Sequence, residues 1–182
     1  MRKTLYLKIL LGYFIFAFFG FVVVATFVSS MTMEQLKREK ADALYKEATL
    51  IANTYASDLY NSEASLDAVK KQLDALDTFL SATIWIINPS GRMVLNSSAP
   101  VDLENETVIE GFDPTVIAGS YYTTGTFFDT FDENMLSVFA PITSSYKVKG
   151  YVVIHAPMHE LQLSCDTLLN ISYILLVILF LL

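Results

Sequence analysis

Twenty-five consecutive residues near the start of the chain, Ile9 to Met33 (ILLGYFIFAFFGFVVVATFVSSMTM), carry no charge. Coiled into a helix at about 1.5 Å per residue, that run is longer than the roughly 30 Å of a bilayer core. Arg2, Lys3 and Lys8 come just before it. Positive charge on that side favours keeping the N-terminus in the cytoplasm, which puts the chain that follows outside. A cleaved leader is the competing reading, but the run exceeds a leader's apolar region of roughly 7–15 residues and TFVSSM offers no small-residue cleavage site. The sequence therefore predicts a cytoplasmic tail over residues 1–8 and an uncleaved membrane helix over 9–30.

The other end is apolar too. Thr167 to Leu182 is sixteen residues without a charge, which reaches only about 24 Å as a helix. A carboxylate ending there would lie in hydrocarbon, and no basic cluster closes the span. The expectation is a second membrane helix over 167–182 that is cut before its end, so that the chain continues beyond Leu182 in a longer protein.

Between the ends lie residues 31–166, enough for one domain with its own core. Three of the twelve Lys and Arg belong to the tail, leaving nine against nineteen Asp and Glu in the outer part. That balance argues against a nucleic-acid partner. The single cysteine, Cys165, excludes an internal disulfide and a cysteine-rich metal framework. It is expected as an unpaired thiol, although in a dimer it could meet its twin. The glycosylation triplets at Asn96, Asn105 and Asn170 occur at chance frequency and carry no weight.

Glu34 to Tyr60 continues the first helix, with Leu44, Ala48, Ile51, Tyr55 and Leu59 at helical spacing and no Pro or Gly. NSEAS ends it, Ser65 is a plausible N-cap, and Leu66, Val69, Leu73, Leu76 and Leu80 stripe a second helix. At Ser81 the period changes. ATIWII is β-branched and aromatic, Asn88 to Gly91 suit a type I turn, and Arg92 to Asn96 return as a hairpin strand. A short helical turn over 113–118 and extended runs at 121–128, 135–143 and 148–156 follow, and Pro157 closes the last. The expected fold class is α+β: long N-terminal helices on a five-stranded antiparallel sheet, flanked by two membrane helices.

The IWIINPSGRMVLNS hairpin, the LSVFAPI strand and the GYVVIHAPMHEL exit strand, set between two spans, resemble the extracytoplasmic PAS-like (Cache-type) sensor of bacterial two-component histidine kinases. That resemblance implies a PAS-like sheet and a homodimer in the membrane lipid. It also implies a stimulus passed through two membrane helices to a cytoplasmic autokinase and its response regulator. ATP and magnesium belong to that kinase part, and no cofactor is implied for this region. Chemotaxis and cyclic-nucleotide receptors share the front end, and a membrane-anchored adaptor without signalling output is the alternative from another class. No catalytic residue is implied: in HELQLS, Gln162 stands where a phosphoacceptor box has a basic residue and Ser164 where it has proline.

Two groups of residues are candidates for a stimulus site. Asp102, Glu104, Glu106, Glu110, Asp113, Asp129, Asp132 and Glu133 occupy a stretch with no basic residue between Arg92 and Lys147. Such a face could take divalent cations or cationic peptides, or serve only as solvated surface. Trp85, Arg92, Tyr121, Tyr122 and Tyr151, with Phe139, could line a small-molecule pocket or simply form core. Pro157 between His155 and His159 spoils a shared helical face, so no metal is assigned there. The two are expected as a strand-end and a capping histidine.

Overall fold

The computed structural model describes residues 2–100, 107–115 and 119–181, and the side chains of 2–5, 176 and 179–181 lie outside the description. Helix α1 runs from Arg2 to Ile51, a five-residue π-helical segment follows at Ala52–Ala56, and α2 completes the run at Ser57–Tyr60. Among the described residues, the helical stretch Tyr6–Tyr60 contains the one window long and apolar enough to cross a membrane. Residues 167–181 are helical but add no second such window there.

The π segment changes which residues of the first helix are buried. Ala41, Leu44, Ala48 and Ile51 are buried as the helical period predicts. After them burial passes to Ala52 and Ala56, leaving Tyr55 and Leu59 half-exposed. A π turn inserts one residue into the helical repeat, so the buried stripe steps forward by one position. Nothing in the composition of ANTYA marks this step.

Helix α3 spans Leu66–Leu80 behind the expected cap: the Ser65 hydroxyl accepts from the Ala68 N–H at 3.3 Å. Val69 and Leu73 are its buried centre, and Ser81 ends it in the left-handed conformation. The strands are β1 Thr83–Ile87, β2 Met93–Asn96, β3 Tyr122–Gly125, β4 Met135–Ser144 and β5 Lys147–Pro157. They form one sheet in the order β2-β1-β5-β4-β3, antiparallel throughout. Helix α4, Met158–Leu181, leaves β5 directly.

At the β1–β2 turn the Asn88 carboxamide oxygen accepts from Ser90 N–H, Ser90 hydroxyl and Arg92 N–H. Gly91 sits there at φ +79°, where a Cβ would come within 2.6 Å of Phe112 Cβ.

The chain divides into two units, Lys37–Glu160 and the combination of Met1–Leu36 with Leu161–Leu182. In the second of these, the Phe21 and Tyr173 rings lie 6.2 Å apart. In the first, α3 packs on β1 and β2, and the π segment on β4 and β5. Trp85, Val153 and Phe139 are cross-strand partners and share the other face with Ile87. Ile109 and Phe127, from the connections on either side of β3, close over them as an apolar core.

Candidate ligand cavity

That second face carries two aromatic arrangements with different uses. Around Trp85 the rings pack against one another: Phe131 stacks on it at 5.1 Å, while Phe127 and His155 meet it edge-on at 5.8 and 4.3 Å. Trp85 is 4% exposed, so it belongs to the core. His155, also on this face, is fully buried between Trp85, Phe127 and Phe131. Its Nδ1 meets Ser137 Oγ at 2.8 Å, and its Nε2 has no hydrogen-bond partner among the described residues. Loss of solvent lowers its pKa to about 3, so the imidazole is neutral at ordinary pH.

Further along the same strands the face opens into a cavity of about 450 Å³. Phe139 and Pro141 of β4, Val148 and Tyr151 of β5, Pro114, Gly119, Ser120 and Tyr121 of the connection before β3, and Tyr45 of α1 line it. Strict alternation would put Val148 and Tyr151 on opposite faces. The register slips between Ile142 and Thr143, so that Ile142 pairs with Gly150 but Thr143 pairs with Val148. That bulge brings Val148 onto the wall beside Tyr151, and a bulge of this kind is a common device for re-aiming a side chain.

Tyr121 joins the cavity to α1. Its hydroxyl donates to Asp42 Oδ1 at 2.5 Å, and its ring lies 5.1 Å from that of Tyr45, one turn further along the helix. The hydrogen bond to Asp42 raises the Tyr121 pKa, with smaller contributions from desolvation and from the Asp42 charge itself. Tyr122, the first residue of β3, sets its ring 5.1 Å from Tyr121 and is not part of the cavity wall.

Of the residues named from sequence for a pocket, Tyr121, Tyr151 and Phe139 come together here. Trp85 lies in the core, and Arg92 is an exposed turn residue bridged to Val108. Tyr45 and Val148 were missed. Tyr45 lies outside the stripe by which the first helix was read, and Val148 reaches the wall only through the slip.

The described acids are dispersed. Asp102, Glu104 and Glu106 lie outside the described residues. Asp113 accepts from the Thr115 N–H and hydroxyl at 2.8 and 2.7 Å, which holds its carboxyl below the usual range. Asp129 accepts from the Thr126 hydroxyl at 3.0 Å, and Glu133 meets His159 Nδ1 at 3.2 Å. Glu110 sits in a turn and Asp132 in a separate bend. Among the described residues no three His, Cys, Asp or Glu side chains are grouped so as to hold a metal.

No protein-family model matches the sequence, and no curated protein matches it significantly. Solved structures do match. The sensor domain of the V. cholerae histidine kinase DctB superposes with a TM-score of 0.50 at 14% identity, over 72% of this chain and 55% of that one. The fold is shared with receptor sensor domains. The same sensor-domain fold appears in the ligand-binding domain of the Campylobacter jejuni chemoreceptor Tlp3 in complex with L-valine, at TM-score 0.50 and 13% identity over 82% of this chain and 64% of that one. It appears again in the extracellular domain of vpHK1S-Z8, assigned as a histidine kinase, at TM-score 0.53 and 12% identity over 74% and 56%. This chain thus spans between 55% and 64% of the length of these three.

Proposed function

We propose that this chain is the signal-input region of a membrane receptor, in which a small molecule entering the cavity beside Tyr121 is read as a displacement of α1. The carrying observation is the pair of contacts from one wall to one helix: Tyr121 bonded to Asp42 and packed on Tyr45. A ligand touching Tyr121 and Tyr45 alters contacts on the helix that also holds the apolar run. A conformational change follows only if the ligand prefers one position of that helix, and about 1.4 kcal/mol of preference changes an equilibrium tenfold.

The proposed topology places residues 1–8 in the cytoplasm and Lys37–Glu160 outside, with α4 returning through the bilayer. The proposed output is an autokinase acting on a response regulator, in a homodimer. The match to a Tlp3 domain supports a chemoreceptor output to the same degree.

The test is a chimera of this chain with the cytoplasmic part of a histidine kinase of known output. Ser120→Trp, which fills the cavity, should change basal output several-fold, while Ser98→Trp, away from it, should leave output unchanged. Equal behaviour of the two variants would remove the cavity from the signalling path.

A further inference from the structure

The chemistry of the wall narrows the ligand class, on the reading that this cavity is the input site. Its volume of about 450 Å³ suits a small organic molecule. Four of its lining side chains are aromatic: Tyr45, Tyr121, Phe139 and Tyr151. Among the described residues none of the lining side chains is Lys, Arg or His, and the only lining side chain able to donate a hydrogen bond apart from the tyrosines is Ser120. A carboxylate would find no charged side-chain donor on this half-open wall to hold it with a charge-assisted bond. A free amino acid is therefore poorly matched at one of its two charged ends.

A cation is well matched. Aromatic faces attract an ammonium group through the ring quadrupole. The bond from Tyr121 to the Asp42 carboxylate places negative charge at the hydroxyl end of one of those rings. Arg38, one turn earlier on α1, only weakly offsets Asp42 at the Tyr121 hydroxyl. Lys149 lies in the strand between Val148 and Tyr151, yet its side chain is exposed and outside the wall. Nineteen acids against nine bases outside the tail add a field that draws cations towards the domain.

We infer that the cavity formed by Tyr45, Tyr121, Phe139 and Tyr151 binds an organic ammonium ion that carries no carboxylate. The ammonium head sits among the rings on the Asp42 side, and its apolar remainder lies along Pro141 and Val148.

The test is calorimetric titration of the whole chain in lipid nanodiscs with choline, with its neutral isostere in which carbon replaces the nitrogen, and with L-valine. Choline should bind roughly tenfold tighter than the isostere, the ratio expected of about 1.4 kcal/mol. Tyr45→Leu should abolish most of that preference and Tyr45→Phe should keep it. Tyr45 is 36% exposed, so neither change threatens the fold. Equal binding of choline and its isostere, binding of valine alone, or no binding of choline to the folded chain would each overturn the ammonium assignment. The input-site reading is judged separately by the output of the Ser120→Trp chimera, so the two can fail independently.

Discussion

The Tyr121 hydroxyl donates to Asp42 Oδ1 at 2.5 Å across 79 residues of sequence, and this bond ties the connection before β3 to α1. Because the bond raises the Tyr121 pKa, the folded state favours the protonated phenol. The tie is complete below the ordinary tyrosine value of about 10 and is lost only as pH rises through the raised value. At neutral pH the phenol is protonated and able to donate. Spectrophotometric titration should show two tyrosines ionising late in the native chain, Tyr60 through burial and Tyr121 through this bond, and Asp42→Asn should move only one of them earlier. Identical titration curves for the two proteins would mean that the bond does not form in solution.

His155 gives the domain an acid-sensitive core. Its pKa falls from 6.5 to about 3 on burial, so between those values the unfolded chain binds a proton that the folded chain does not. Stability should therefore be level above pH 6.5 and decline below it, by about 1.4 kcal/mol per pH unit at most, with the decline ending near 3. Trp85, the chain's only tryptophan, touches His155 and reports the change by fluorescence. Melting temperatures at pH 7, 6 and 5 should fall for the native chain, and less steeply for His155→Gln. A His155→Gln variant with the native slope would place the acid response elsewhere.

Elements with a strong local signal were legible in the sequence, and their contacts across the fold were not. Ser65, the leucine stripe of α3, the NPSG turn and four of the five extended runs appear where their cues put them, whereas the run read over 121–128 is a strand only over Tyr122–Gly125, with Phe127 and Phe128 turned into the left-handed region. The period-two burial of β1 is hidden because both faces are covered, leaving Ile84 to Ile87 all buried. The cavity was half legible. Tyr121, Phe139 and Tyr151 stand out as aromatics in strand-like runs, but Trp85 has the same appearance and is core. What separates them is a helix residue, Tyr45, and a slipped pairing at Thr143, and both depend on contacts between distant segments. The π turn at Ala52–Ala56 was equally invisible, since its residues differ little from those of an α-helix.

Gly150 is required by closeness rather than by backbone angle. A Cβ there would lie 2.4 Å from the Ile87 carbonyl oxygen and 2.9 Å from the Tyr60 hydroxyl. The carbonyl belongs to the β1 backbone and cannot yield cheaply. Gly150→Ala should therefore destabilise the domain by about 2 kcal/mol or more, against little change for Gly20→Ala, where nothing lies within 4 Å. Thermal unfolding followed at Trp85 distinguishes them, and a Gly150→Ala variant with the native melting temperature would contradict this packing.

Ser97 completes the β1–β2 pairing with a side chain. Its N–H donates to the Ile84 carbonyl at 2.9 Å, and its hydroxyl oxygen accepts the Ile84 N–H at 2.8 Å. The same hydroxyl donates to Asp77 Oδ2 at 2.5 Å, joining the strand pair to α3, while Lys70 Nζ holds the Ser97 carbonyl at 2.8 Å. Ile84 is fully buried, so Ser97→Ala would leave its N–H without an acceptor in a site closed to water. An orphaned buried donor costs about 1–3 kcal/mol. Ser98→Ala removes only exposed hydroxyl contacts, to Asp77 at 3.1 Å and Thr83 at 3.1 Å, and should cost no more than about 0.5 kcal/mol. Hydrogen exchange gives the sharper reading: the Ile84 amide should lose protection in Ser97→Ala and keep it in Ser98→Ala. Retained protection in the first variant would mean that another acceptor replaces the hydroxyl.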